Sequence, residues 1–81
     1  MIVRIKLFAV AKQLAGADSV AVEMPALGTV GDLRAAAAVQ YPALAAVLRR
    51  AFIAINAEYA RDEMIVPADA EIACIPPVSG G

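Results

Sequence analysis

The chain has 81 residues, 62% of them hydrophobic, with a formal net charge of −1, one cysteine and no histidine. That is the size of one domain, near the small end of what folds without staples. A lone cysteine forms no internal disulfide, a zinc site without histidine would need an unusual set of carboxylates, and interspersed charges leave no basic footprint for nucleic acid. The longest uncharged run, "AAAAVQYPALAAVL", is interrupted by Pro42 and falls short of the ~20 apolar residues that span a bilayer. The start, "MIVRIKLF", lacks the basic region, apolar block and small-residue cleavage site of a signal peptide, so the expected location is cytoplasmic. Twenty of the apolar residues are alanines, which predicts a compact, alanine-rich core.

In the first segment Val3, Ile5 and Leu7 fall on one face and Arg4, Lys6 and Phe8 on the other, the alternation of a half-buried strand. Ala9 to Ala15 predicts a short helical turn stopped by Gly16. "DSVAVEM" then alternates through Val20, Val22 and Met24 until Pro25, a strand expected to pair antiparallel with the first. In "TVGD", Thr29 is placed to N-cap a helix, with Asp32 three residues on as a weaker version of the capping box. "LRAAAAVQY" continues that helix, the main one, until Pro42 disfavours a helical Tyr41. Pro42 itself suits a first helical position, so "PALAAVLRR" predicts a second, shorter helix before the apolar strand "FIAIN". A turn at "NAEY", where Asn56 tolerates positive φ, and a short extended piece lead to the last strand, "EIACI". There Ile72 and Cys74 share one face, Glu71, Ala73 and Ile75 the other, and Pro76 ends the ladder.

The order ββαββ, with one small extra strand, predicts an α+β fold of the β-grasp (ubiquitin-like) kind: a mixed sheet of four to five strands with the main helix packed on one face. Its first and last strands would lie parallel and adjacent in mid-sheet, joined by a right-handed crossover. Residues 1–75 would form the domain, and 76–81 an extended, flexible tail. Phe8 and Ile75 would then point away from the helix beside Arg4 and Lys6, with Tyr59 extending the spot. Such an exposed apolar patch rimmed by charge is a candidate docking surface, although single exposed apolar residues are also common on ordinary surfaces.

The catalytic inventory is short. Neither "GxxxxGK[ST]" nor "GxGxxG" occurs, so ATP chemistry would need a partner. Without histidine, Ser-His-Asp and Cys-His arrangements are excluded, and Asp62 with Glu63 reads as a solvated turn. Cys74 falls on the inner strand face, where a thiol acts as a small hydrophobe of low reactivity. What remains is the ending "IPPVSGG". Pro76 and Pro77 favour an extended start, and the run from Pro76 through Val78 and Ser79 to Gly81 reaches roughly 20 Å at ~3.3 Å per residue. Gly80 and Gly81 remove every Cβ from the tip, so a narrow channel in a partner can close on backbone alone. The terminal carboxylate, with an ordinary pKa of about 3.5, is ionised at neutral pH and can attack an activated phosphate, and adenylation would make it an acyl donor. Small residues at a terminus also describe an ordinary frayed end.

Over its whole length the chain resembles the small subunits of molybdopterin synthase, which are ubiquitin-like sulfur carriers. The resemblance rests on "KLFA", "GTVGDL", "YPAL", "AINAEY" and above all "IPPVSGG". The chain departs from that pattern at Lys12 and Gln13, where the family tends toward arginine and glutamate, and at "PADAE", where it favours "DGDE". The resemblance implies a cycle. A ubiquitin-activating-like adenylyltransferase and sulfurtransferase partner would use ATP to adenylate the Gly81 carboxylate, and a persulfide-based source would convert it to a thiocarboxylate. In the large synthase subunit, within a heterotetramer, Gly81 would donate sulfur to cyclic pyranopterin monophosphate for molybdenum cofactor biosynthesis. The chain itself would bind no cofactor and have no active site of its own. Three alternatives use other acceptors or none: a sulfur carrier for thiamine, transfer-RNA thiolation or cysteine synthesis; a protein modifier forming isopeptide bonds; and a plain interaction module.

Overall fold

The computed structural model describes residues 1–77. It opens with β1 (Ile2–Leu7), whose alternation buries Val3, Ile5 and Leu7 and exposes the residues between them. Helix α1 (Ala9–Ala15) follows at once, so that Phe8 serves as its extended N-cap residue rather than as a strand member. Gly16 ends α1 at φ 67°, its N–H donating to the Lys12 carbonyl at 2.9 Å, a left-handed stop that glycine adopts without a Cβ penalty. β2 (Ser19–Glu23) buries Val20 and Val22 and pairs antiparallel with β1, Ile2 opposite Glu23 and Lys6 opposite Ser19.

The turn into the main helix needs Gly28, because a Cβ there would stand 2.6 Å from Met24 Cε and 2.9 Å from the Pro25 carbonyl oxygen. Helix α2 (Val30–Gln40) then starts with a full capping box. The Asp32 N–H donates to Thr29 Oγ1 at 3.1 Å, and the Thr29 N–H donates to Asp32 Oδ2 at 2.9 Å, an arrangement worth about 1 kcal/mol. Its apolar stripe of Val30, Leu33 and Ala37 faces the sheet. The segment expected as one second helix divides into a 3-10 turn (Pro42–Leu44) and helix α3 (Ala45–Arg50). The cause is local: the Leu44 N–H bonds only three residues back, to the Tyr41 carbonyl, giving the tighter pitch.

Strands β3 (Phe52–Ile55) and β4 (Glu58–Ala60) form a hairpin through Asn56 and Ala57 at φ 50° and 69°, the two left-handed residues of a type I′ turn. After a connection tied back to α2 by the Thr29–Ile65 bridge, β5 (Ile72–Ile75) enters the sheet between β1 and β3. The order is β2-β1-β5-β3-β4, with β5 parallel to β1 and antiparallel to β3. This is the β-grasp arrangement expected from the order of elements. The core is less alanine-rich than expected: Ala11, Ala37, Ala51 and Ala54 are buried, but the largest buried side chains are Ile5, Leu33, Leu44, Leu48, Ile53 and Ile72. Many other alanines, among them Ala35, Ala43 and Ala46, lie on the surface, where composition alone cannot place them. Among the described residues, no helix is long and apolar enough to cross a membrane.

Candidate functional site

The inner sheet face is covered by α2, so the functional question falls on the outer face. Register places its residues in two rows across the strands. Lys6 lies beside Ala73, Ala73 beside Ala54, and Ala54 beside Tyr59; one step along, Ile75 lies opposite Phe52. Phe8 directly follows Leu7, the partner of Cys74, so the same row continues toward it. Three aromatic rings are exposed on this surface, Phe8 at 42%, Phe52 at 51% and Tyr59 at 71%, and Ile75 is half-buried between the strands. The Phe52 and Tyr59 rings meet with centroids 5.3 Å apart and planes tilted by 38°, within the favoured range for aromatic pairs. An open hollow of about 320 Å³ lies beside them, lined by Lys6, Ala54, Tyr59, Ala73 and Ile75.

Strand phase sets Phe8, Tyr59 and Ile75 on the outer face, and Phe52 joins them there. Its signal was present, since in "FIAIN" an inward Ile53 forces Phe52 outward by strand alternation. Basic residues border the patch. Arg4 Nη1 donates to Ser19 Oγ at 3.1 Å, and Lys6 sits in the row itself. Pro76 is buried against the body at the end of β5, and Pro77 is exposed. Val78, Ser79, Gly80 and Gly81 lie outside the described residues. Since β5 ends at Ile75, opposite Phe52, Pro76 and Pro77 follow at the end of the sheet that carries Ile75, Phe52 and Phe8.

Cys74 is fully buried on the inner face, where burial pushes its thiol pKa up and the Arg34 charge pulls against that only in part. A protonated, enclosed thiol is core, as its strand phase implied. Arg34 was not singled out in the sequence, yet it ties three segments together. Its Nε donates to Asp62 Oδ1 at 2.9 Å, and its Nη1 donates to the carbonyl of Leu48 and, at 2.7 Å, to that of Ala51 at the end of α3. Asp62 is consequently more than a solvated charge: it receives Arg34 and, through its carbonyl, the Gly31 N–H. Glu63 does face water, paired with exposed Arg61 at 3.1 Å. Lys12 Nζ meets Asp18 Oδ1 at 2.8 Å, and this hydrogen bond, reinforced by charge, raises the ammonium pKa and lowers that of the carboxyl. Among the described residues, no group of three or more His, Cys, Asp or Glu side chains could hold a metal ion.

A mixed five-stranded β-grasp sheet with the main helix packed on one face places the domain in the class of ubiquitin-like proteins. Within that class, residues 5–81 match the ThiS family, and the chain belongs to it. The chain is 34% identical to a molybdopterin synthase sulfur carrier subunit of Arabidopsis thaliana over 79 residues, covering 98% of this chain and 82% of the relative. It is 38% identical over 81 residues to the protein of the same description from Dictyostelium discoideum, covering 96% and 94%. Among solved structures it superposes on SAMP1, a small archaeal modifier protein of Haloferax volcanii, with a TM-score of 0.85 at 32% identity and full coverage of both chains.

Proposed function

We propose that this chain is the sulfur carrier subunit of a molybdopterin synthase, with residues 76–81 as the carrier segment and the Gly81 carboxylate as the group that bears sulfur. The observation that carries this reading is the nearly full-length similarity to sulfur carrier subunits, beside a ThiS family match that runs through Gly81. The chemistry follows from a carboxylate with no leaving group of its own. A ubiquitin-activating-like partner joins the Gly81 carboxylate to the AMP moiety of ATP, releasing pyrophosphate. Persulfide sulfur attacks the acyl carbon, AMP leaves, and cleavage of the sulfur–sulfur bond by a thiol yields the thiocarboxylate. Held in the large subunit, the thiocarboxylate donates its sulfur to cyclic pyranopterin monophosphate. The outer-face strip of Phe8, Ile75, Phe52 and Tyr59 supports docking of those partners, because anchors beside the exit of the segment hold its tip in register.

One observation favours a second reading. The similarity to SAMP1 supports a protein modifier, in which the activated Gly81 passes to a lysine amine and forms an isopeptide bond. Intact mass of the protein from its native cells separates the two. A carrier has one oxygen replaced by sulfur, a modifier appears in higher-mass conjugates, and a chain with neither overturns both. Deleting Gly81, or adding one residue after it, should leave the fold intact and abolish sulfur transfer; molybdopterin synthesis retained by the deletion variant would sink the carrier reading.

A further inference from the structure

Every open sheet has two edges whose unpaired N–H and C=O groups can accept another strand, and proteins blunt them with short strands, lysine, proline or a covering element. The β4 edge is three residues long and runs directly into Arg61, Asp62 and Glu63. The β2 edge is different. Its five residues, "SVAVE", carry neither lysine nor proline, and the two valines favour extended structure. In the β1–β2 pair, the bonds between Met1 and Met24 and from the Leu7 N–H to the Asp18 carbonyl set the alternation of the ladder, so the backbone groups of Ser19, Ala21 and Glu23 point outward from the sheet.

Three of those outward groups are occupied by the end of α2. The Glu23 N–H donates to Gln40 Oε1 at 2.9 Å, and Gln40 Nε2 donates to the Glu23 carbonyl at 2.8 Å. One primary amide thus satisfies both groups of a single residue, as the facing residue of an added strand would. The Tyr41 hydroxyl donates to the Ala21 carbonyl at 2.6 Å, with its ring packed against the core. We propose that Gln40 and Tyr41 form a plug that closes the β2 edge, and that the occupant they exclude is the β2 strand of a second copy of this chain. The argument for a second copy is the self-complementarity of the edge. An antiparallel two-fold pairing centred on Ala21 sets Glu23 of each copy opposite Ser19 of the other, so no like charges oppose one another.

The plug keeps the sheet from extending through β2 and leaves the outer face and the C-terminal segment to their own partners. Sedimentation velocity over a wide concentration series tests it, on the parent, Gln40→Ala and Gln40→Ala/Tyr41→Phe. Gln40 is exposed, so its truncation leaves the core intact, and the single variant decides the matter if the double variant unfolds. The parent should remain monomeric, and the variants should show a concentration-dependent doubling of sedimenting mass. In the Gln40→Ala variant, hydrogen exchange at the Glu23 amide should lose protection when dilute and regain it when concentrated. Variants that stay monomeric at every concentration overturn the proposal. So does a dimer that leaves the Ala21 and Glu23 amides unprotected, or a parent that dimerises through β2 with the plug in place.

Discussion

Cys74 is the residue at which chemistry and packing make opposite demands. A sulfur-handling role would need an exposed, low-pKa thiol, whereas this one is enclosed between strands and its pKa is raised by burial. Cys74→Ala should cost about 1 kcal/mol in urea unfolding through lost packing and leave sulfur loading of Gly81 unchanged. A folded variant that fails to load would overturn the assignment. The raised pKa sets the sign of a pH effect. Above the ordinary thiol range an unfolded Cys74 ionises while the folded one stays protonated, so its contribution to stability falls as pH rises. The advantage of the parent over Cys74→Ala should therefore narrow in alkaline buffer. Ala57 makes the converse case, an exposed residue under backbone strain at φ 69°. Ala57→Gly should raise stability by up to about 1 kcal/mol, because the left-handed penalty exceeds the extra entropy of an unfolded glycine. A lower urea midpoint would show that the turn gains nothing from glycine.

At the scale of elements, Arg34 explains how a helix rich in alanine holds its neighbours. Alanines on α2 present little side chain with which to grip α3 or the loop at Asp62, and the guanidinium fork supplies that grip through polar bonds. Arg34→Met keeps the aliphatic stem but strands the carbonyls of Leu48 and Ala51, so it should lower stability by about 2 kcal/mol. Arg34→Lys should recover only part of that, since an ammonium cannot span the three acceptors. Unfolding midpoints of the two variants check both statements, and equal stability of Arg34→Met and the parent would remove Arg34 from this role. In sequence, Arg34 looks like any solvated helix charge, since its acceptors lie 14 to 28 residues away. Asp62 reads as solvent-facing in sequence for the same reason.

For the molecule as a whole, the inner sheet face holds the core and the outer face carries the proposed docking surface. Phe8→Asp and Tyr59→Asp alter exposed side chains and should change the melting temperature little. In the proposed docking surface they should weaken the complex with the large subunit by about 2 kcal/mol or more, as truncation at the centre of an interface does. Calorimetric titration beside a thermal melt reads both effects, and normal binding by both folded variants would place the docking surface elsewhere.

The order of elements, the strand phases and the capping box were determined by the sequence alone, because alternation, proline and glycine punctuation and the Thr29–Asp32 spacing are local physics. Even the mid-sheet pairing of β1 with β5 followed, since a right-handed crossover leaves few other topologies. The ending "IPPVSGG" marks the segment proposed to carry sulfur for chemical reasons that need no fold. Tertiary structure decided what depends on pairing between distant residues. It set Phe52 opposite Ile75 and against Tyr59, brought Arg34 to Asp62, and laid Gln40 and Tyr41 along the β2 edge. Register and long-range hydrogen bonds join residues whose identities carry no record of one another, and only the folded chain brings them within reach.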